Sequence, residues 1–422
     1  MKIVLAAKST YPFHPVGGVQ KYVYHYAKAL IAKGIEVEIV APLDEKRRAR
    51  TEKFEGIDYS FIAPSIYKYL EYPIGWLGVH LFSLSLAHYL KNRTFDLLHA
   101  FDVTAFQYLK LKNRKPVITH TFTDNFLINP IASSKLISSQ NQTEKIKEKK
   151  LMMSPWVEGA LRRRYFLQYY FKVKPMHFCF TQSEATFFEA DIYAKEVEEV
   201  FQLNPQKNYV VPVGVDIAMI EHYRQKLSLT RKDIGFGPEH VVLMTVNRLA
   251  ADKGVDKIIL ALAQLVKEFS HLRLLLVGQG YQEKEIYKLI EELKLKEHIC
   301  HLKNVPENKL YSYYGLADLY LSAFSYPGSS ISTLEAMACS LPIVTTAQPW
   351  LIKENRNGNL IEDNNPQTIA QAIRRLIVQR RLKEMGQESR RIVQAFDWEN
   401  IVGEAISIYE SSLKPKKAYE KV

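Results

Sequence analysis

Two apolar runs, each followed by a polar loop and a helical stretch, constrain the fold of this chain most strongly. The first run extends from Val241 to Val246 and the second from Leu319 to Ala323. Runs of this length and composition are typical of parallel strands that are buried on both faces. Open sheets of such strands bind ligands in the crevice beyond their carboxyl ends. We therefore expect a binding site in the polar loops that follow the two runs.

The loop after the first run carries two cations, Arg248 and Lys253. A planar guanidinium and a lysine ammonium can together neutralise a diphosphate. Either side chain by itself would be interpreted as an ordinary solvated charge in a loop. The hypothesis that both bind a diphosphate is stronger because a second, complementary loop occurs about eighty residues later in the same strand-loop-helix context.

That second loop, with Ser329 and Ser330, leads into a helix that we expect to run from Ile331 to about Cys339. The free N–H groups at a helix start favour anionic oxygens. Glu335 lies in the first turns, where its carboxylate could accept hydrogen bonds from paired ribose hydroxyls or could serve only the helix dipole. The two loops together predict one shared ligand, a nucleotide diphosphate.

Alternating strand and helix patterns along the 422 residues predict parallel sheets covered by helices. A chain of this length is long for a single hydrophobic core, so we predict two domains. A polar stretch near residues 228–239, which contains two glycines and a proline, separates the halves. We place the first domain at residues 1–225 and the second at residues 226–395.

Composition and charge limit the classes of partner. The formal charge of +12 favours anionic partners, but no recognition motif for nucleic acid accompanies it. Cys179, Cys300 and Cys339 lie too far apart for a disulfide framework or a zinc site, and no cluster of His and carboxylates has metal-ligand spacing. The sequence also has no G-x-x-x-x-G-K-[ST] loop. We therefore expect no metal, no P-loop chemistry and no bound cofactor.

Two segments raise the question of a membrane. Residues 73–90 contain no Asp, Glu, Lys or Arg, but Gly, Ser and His residues make them only moderately apolar, which favours a buried or interfacial helix over a span. Residues 162–172 are rich in Arg and aromatic side chains. They could lie on an anionic membrane surface, or form a solvated helix whose aromatic side chains face the core.

Further motifs occur in a fixed order along the chain. They are Gly17-Gly18-Val19, Asp96-Leu97-Leu98-His99, Val211-Pro212-Val213-Gly214-Val215-Asp216, Leu275-Leu276-Val277-Gly278-Gln279-Gly280, Tyr314-Gly315-Leu316-Ala317-Asp318 and Asn357-Gly358-Asn359-Leu360. With the two loops described above, they make the chain resemble the family 4 glycosyltransferases, a retaining, sugar-nucleotide-dependent group. This resemblance implies the α/β GT-B fold, in which two Rossmann-like, doubly wound parallel-sheet domains face each other across a cleft. It also implies that a last helix, residues 396–413, crosses back onto the first domain.

The resemblance implies an activity as well. The protein would move a hexose-type sugar from a nucleotide-diphosphate donor to a glycan or lipid-linked acceptor in cell-surface polysaccharide or glycolipid synthesis. It would do so in the cytoplasm, with peripheral binding at the inner face of the membrane as an option. The nucleotide sugar would be a co-substrate, and cations of the protein would replace a metal.

Site roles follow from the same resemblance. Arg248 and Lys253 would stabilise the departing phosphate, and His120 matches the position where the family places a His against the donor sugar. The residues expected to bind the donor are Gly17, Gly18, Gly278, Ser329, Ser330, Ile331 and Glu335.

Two positions depart from the family pattern. Pro327 occupies the place of the first of two glutamates separated by seven residues, of which Glu335 is the second, and Gln348-Pro349-Trp350 replaces a small-residue turn that carries a Glu. Two alternatives therefore stay open. One is a degenerate, glycosyltransferase-like partner subunit without turnover, and the other is a sugar-nucleotide epimerase of the same fold.

Overall fold

The computed structural model describes residues 1–14, 17–44, 48–63, 75–121, 169–226, 229–325 and 329–414. The chain forms two compact units, one from Met1–Pro212 with Glu399–Val422 and the other from Val213–Trp398. Each unit is built on one sheet. The predicted α/β class with two parallel-sheet domains is confirmed.

The described residues form fourteen strands and twelve α-helices. The strands are β1 (Lys2–Ala6), β2 (Glu36–Pro42), β3 (Arg50–Phe54), β4 (Ile57–Ala63), β5 (Leu97–Phe101), β6 (Val117–Thr121), β7 (Ala185–Phe188), β8 (Asn208–Val210), β9 (Val241–Val246), β10 (Leu272–Val277), β11 (Ile299–Leu302), β12 (Leu319–Ser322), β13 (Ile343–Thr345) and β14 (Gly358–Leu360). The helices are α1 (Gly18–Ala32), α2 (Gly75–Leu90), α3 (Lys174–Gln182), α4 (Asp191–Phe201), α5 (Ile217–Lys226), α6 (Val255–Leu265), α7 (Glu283–Glu292), α8 (Glu307–Tyr314), α9 (Ile331–Ala338), α10 (Pro366–Gln379), α11 (Leu382–Val393) and α12 (Trp398–Leu413).

The sheet of the first unit has the order β3-β4-β2-β1-β5-β6-β7-β8 and is parallel except for β3, which runs antiparallel to β4 at the edge. Side chains alternate between the two faces of a strand. On β5, Leu98 and Ala100 pack into a core that α2, α3 and α4 share. His99, between them, packs instead against Tyr26 of α1 and Tyr409 of α12. Helices therefore cover both faces of this sheet.

The sheet of the second unit has the order β11-β10-β9-β12-β13-β14, and all its paired strands are parallel. This is the strand order of a Rossmann fold. After β9 the chain adds β10 and β11 on one side, and then crosses over to add β12 on the other side. The strand order therefore reverses between β9 and β12, where doubly wound sheets open a crevice at the carboxyl ends.

The boundary between the units lies earlier in the chain than the position predicted from composition. Helix α5, of which all but the last residue falls in the predicted first domain, belongs to the second unit and packs on α8. Its buried residues Ile217 and Ile220 explain this, because they need the apolar cover that the second unit supplies. Helix α12, from Glu399 onward, returns to the first unit.

Most of the uncharged segment at residues 73–90 forms helix α2. Phe82 and Leu86 are fully buried in the core of the first unit, and Leu84 is half exposed on the opposite side. None of the helices in the described ranges has both the length and the apolar character that a bilayer span requires. Cys179 and Cys339 are buried thiols, and burial raises the pKa of both.

Candidate functional site

The loop after β9 holds its two cations in different ways. The Arg248 side chain is 66% exposed, and its Nη2 lies 3.8 Å from Oδ1 of Asp252. The Lys253 side chain is only 24% exposed. Its Nζ lies 3.2 Å from Oδ2 of Asp252 and 4.2 Å from the centroid of the Phe324 ring. Lys253 is therefore a positioned cation, whereas Arg248 is exposed enough to move towards an anion.

Contacts within the second unit join this loop to the predicted anion-binding loop. The backbone N–H of Ser325 donates to the carbonyl oxygen of Asp252 at 3.0 Å. The Tyr320 hydroxyl donates to Oγ of Ser332, in the first turn of α9, at 2.8 Å, and it lies 3.5 Å from the carbonyl oxygen of Val246, at the end of β9. The two loops thus lie at one edge of one sheet, as their strand contexts predict.

Two glycines allow the backbones to approach each other closely at this edge. A Cβ on Gly254, whose φ is +61°, would lie 2.0 Å from the carbonyl oxygen of Ala323. A Cβ on Gly278, whose φ is +133°, would lie 2.0 Å from the carbonyl oxygen of Asn247. Both positions require the absence of a side chain. Gly278 therefore contributes to the site through the packing of the loops after β9 and β10.

The Gly254→Ala variant is expected to lose at least about 2 kcal/mol of unfolding free energy, because alanine is strained at positive φ and its Cβ would strike a backbone carbonyl. Urea unfolding followed by circular dichroism measures the loss. Gly403→Ala is the matched control, because a Cβ there has no neighbour within 4 Å and the site is inside helix α12. Equal stability of the two variants would contradict the close approach.

The start of α9 is organised by Ser330. Its Oγ accepts a hydrogen bond from the backbone N–H of Thr333 at 3.2 Å, so Ser330 is the N-cap, and it lies 3.0 Å from Oγ of Ser332. Ser329 precedes the cap and is partly exposed, and Ile331 is the first helical residue. The positive end of the helix dipole is therefore at the carboxyl edge of the sheet, beside the loop that carries Lys253.

Glu335 lies deeper than the sequence suggested. It is 4% exposed, and its two carboxylate oxygens accept hydrogen bonds from the hydroxyls of Tyr311, at 3.3 Å, and Tyr314, at 3.0 Å. Burial and the charge of Glu335 hold the pKa of both phenols well above the usual range. In this structure the carboxylate anchors α9 to α8.

The remaining predicted site residues belong to the first unit. Gly17 is the N-cap of α1, Gly18 is its first residue, and both are exposed after β1. His120, on β6, is fully buried, and burial lowers its pKa to about 3. It is therefore a neutral imidazole at physiological pH. Pro327 and residues 162–168 lie outside the described residues.

Several residues that shape this edge escaped prediction from sequence. Gly254 has a local signal, because it directly follows Lys253 and precedes a helix. Tyr311, Tyr314 and Tyr320 have none, since only the packing of α8 and β12 brings their hydroxyls to α9. Within the described ranges, no three His, Cys, Asp or Glu side chains are grouped so that they could hold a metal ion.

Comparison with known proteins assigns the chain to a family. Residues 16–219 match the model of Glycosyltransferase Family 4, and residues 228–392 match the model of Glycosyl transferases group 1. D-inositol 3-phosphate glycosyltransferase from Segniliparus rotundus is 24% identical over 241 residues, which are 55% of this chain and 53% of that protein. The chain thus spans about half the length of this curated relative.

Solved structures show the same fold. Sucrose-phosphate synthase from Thermosynechococcus elongatus superimposes with a TM-score of 0.71 at 17% identity, covering 97% of this chain and 98% of that one. HepE from Anabaena, in complex with UDP, superimposes with a TM-score of 0.65 at 18% identity, covering 97% and 100%. The chain belongs to the family 4 glycosyltransferases and has their GT-B fold.

Proposed function

We propose that this glycosyltransferase is a retaining enzyme that moves a hexose-type sugar from a nucleotide-diphosphate donor to a glycan or lipid-linked acceptor in the synthesis of cell-surface polysaccharide or glycolipid. The observation that carries the donor assignment is the meeting of the Lys253 loop and the start of α9 at the point where the strand order reverses. Two cations and a helix N-terminus complement the charge of a diphosphate.

The proposed chemistry uses those groups at the leaving phosphate. As the bond between the sugar and the diphosphate breaks, negative charge develops on the phosphate oxygen, and preorganised donors that hold this charge lower the barrier. Lys253 is held in place by Asp252 and Phe324, whereas Arg248 is free to move towards the diphosphate when the donor binds. The acceptor hydroxyl would attack the same face of the sugar and pass its proton to the departing phosphate.

The similarity to HepE suggests which donor to test first, and exposed aromatic residues of the first unit suggest a class of acceptor. The UDP bound to HepE makes UDP sugars the first donors to examine. For a lipid-linked acceptor we propose contact with an anionic membrane surface near Tyr169 and Tyr170, which are about half exposed. The Lys174 ammonium lies 5.6 Å from the Tyr170 ring centroid, so cationic and aromatic groups occur together there.

Thermal stabilisation of the purified protein by UDP, GDP, ADP and their common sugar conjugates tests the proposal. Selective stabilisation by one nucleotide, lost in Arg248→Ala, would identify the donor class. Transfer that requires an acceptor would then exclude an epimerase. If no nucleotide stabilised the folded protein, the proposed transferase activity would be rejected in favour of a partner subunit without turnover.

Activity with the donor found in this way is expected to survive chelation of divalent cations. The physical reason is that Arg248, Lys253 and the start of α9 would supply the positive charge that a metal supplies elsewhere. Initial rates measured with excess EDTA, and again after the addition of magnesium or manganese, check this expectation. A rate that EDTA abolishes and magnesium restores would contradict it.

A further inference from the structure

Four buried side chains in the first unit form one continuous chain of hydrogen bonds. The hydroxyl oxygens of Tyr26 and Tyr409 are 2.5 Å apart, and that of Tyr409 is 2.5 Å from Nδ1 of His99. The Nε2 atom of His99 is 3.1 Å from Nδ1 of His120. All four residues have no exposed surface. They come from α1, α12, β5 and β6, so this series of hydrogen bonds links helix α12 to the predicted site histidine, His120.

The imidazoles of His99 and His120 are both neutral, so each carries a single N–H. Burial lowers the pKa of His120 to about 3. Burial, and then the proximity of His120, lowers the pKa of His99 well below its usual value. A neutral imidazole has one donor nitrogen and one acceptor nitrogen, and its partners decide which is which.

Two directions of donation are compatible with these three contacts, and the chemistry of the donors favours one. A phenol O–H is a far stronger acid than a neutral imidazole N–H, and an imidazole nitrogen is a better acceptor than a phenol oxygen. Tyr409 therefore donates to Nδ1 of His99, and Tyr26 can donate to the Tyr409 oxygen. The short separation of 2.5 Å suits an O–H donor.

The remaining proton positions follow from the hydrogen bond that Tyr409 donates to His99. Because Nδ1 of His99 accepts, its proton is on Nε2, which donates to Nδ1 of His120. Nδ1 of His120 is then an acceptor, so the proton of that ring is on Nε2. The opposite order would require the Nδ1–H group of His99 to donate to the Tyr409 oxygen, which is the weaker arrangement.

We propose that Tyr409 and His99 are positioning residues that hold His120 in the Nε2–H tautomer, so that His120 acts in sugar transfer as a hydrogen-bond donor and not as a base. The role in transfer rests on the proposed function, whereas the tautomer is a property of the protein without ligand. Helix α12 then acts on His120 through the Tyr409 hydroxyl alone. This hydroxyl determines which nitrogen of each imidazole carries the proton, as hydrogen-bond partners do for metal-bound histidines.

Nitrogen-15 NMR of the full chain, labelled at histidine and free of ligand, tests the tautomer directly. The resonances are assigned by their loss in His99→Gln and His120→Gln. We expect both rings to be protonated at Nε2 near pH 7 and to remain neutral down to about pH 5. Protonation of either wild-type ring at Nδ1 would overturn the proposal, and this outcome needs no variant of Tyr409 to fold.

The Tyr409→Phe variant tests the link to activity. We expect a mixture of tautomers at His99 and His120 and a fall in kcat of about tenfold, comparable to the loss of one neutral hydrogen bond, with KM unchanged. Tyr108→Phe is the matched control, since this buried hydroxyl accepts only from the backbone N–H of Lys115, at 2.9 Å, in the same unit. It should lose comparable stability but keep both the tautomers and kcat.

The outcomes separate this proposal from the proposed function. Nε2–H tautomers in a protein without transferase activity would reject the activity and leave the assignment of the protons standing. Two other outcomes would reject only the positioning role of Tyr409 and His99. These are transfer activity in a protein whose His99 or His120 carries its proton on Nδ1, and a kcat that Tyr409→Phe leaves unchanged.

Discussion

Replacing Lys253 by methionine is expected to lower kcat/KM for the nucleotide sugar by about a hundredfold or more. The methionine side chain keeps the unbranched shape of lysine up to Cε but lacks the ammonium that Asp252 and Phe324 hold at the edge of the sheet. A cation fixed in advance stabilises the developing phosphate charge without reorganisation, so its loss acts mainly on the transition state. Initial rates over a range of donor concentrations, with the acceptor saturating, measure the effect.

The matched control for this experiment is Lys257→Met. Lys257 lies four residues further along, on α6, where its side chain is 40% exposed and pairs with Asp256 at 3.1 Å. A surface ion pair of this kind contributes little, so rates and stability should stay close to those of the unmodified protein. Similar rates in the two variants would refute the assignment of Lys253 to the leaving phosphate.

Truncating Glu335 to alanine is expected to destabilise the second unit by about 2–4 kcal/mol and to abolish stabilisation by the donor. The variant removes a buried carboxylate that accepts from Tyr311 and Tyr314 and leaves a cavity in its place. Among the described residues, Tyr311 then keeps only Glu307, at 3.1 Å, and Tyr314 only the carbonyl oxygen of Ser332, at 3.2 Å, as acceptors. It also removes two of the hydrogen bonds between α9 and α8, which should shift the helix start that we assign to the diphosphate. Urea unfolding and thermal shift with the donor measure the two effects.

Two further variants determine whether the loss comes from these hydrogen bonds. Glu335→Gln keeps the size of the side chain and one acceptor oxygen, so it should lose less stability than the alanine variant. Glu268→Ala removes a glutamate of the same unit that is 47% exposed and pairs with Arg374. We expect a change within about 0.5 kcal/mol for this surface residue. An alanine variant at 335 that is as stable as this control would show that the buried carboxylate is dispensable.

A diphosphate site at this edge of the sheet could be proposed from the sequence because its signals are local. An apolar run followed by the polar residues Asn247 and Arg248 indicates the end of a strand. A serine before an apolar helical stretch indicates the start of a helix. Carboxyl ends of parallel strands meet at one edge of a sheet, so the two loops could be placed together from sequence. The structure confirms that the loops meet, through Ser325, Asp252 and Tyr320.

The environment of the same residues could not be predicted, since it depends on side chains distant in sequence. Glu335 follows a helix start, which suggested a carboxylate that accepts from ribose hydroxyls or serves the helix dipole, yet it lies buried against Tyr311 and Tyr314 of α8. His120 has no sequence neighbour that indicates its state. Its low pKa and its partner His99 come from the alternation of side chains on two adjacent strands.

Two domains, parallel sheets and an edge that pairs cations with a helix start could be predicted from the sequence alone, because backbone periodicity and strand polarity act over short stretches of chain. The order of the strands in each sheet came only from the structure. Burial, protonation and the position of helix α12 could not be predicted in this way, because they depend on contacts between elements that are distant in sequence, 21 positions for His99 and His120 and 310 for His99 and Tyr409. The hydroxyl of Tyr409 reaching His99 is the clearest case. Only the packed structure determines which buried polar groups share a proton, since each must find its partner wherever the chain has placed it.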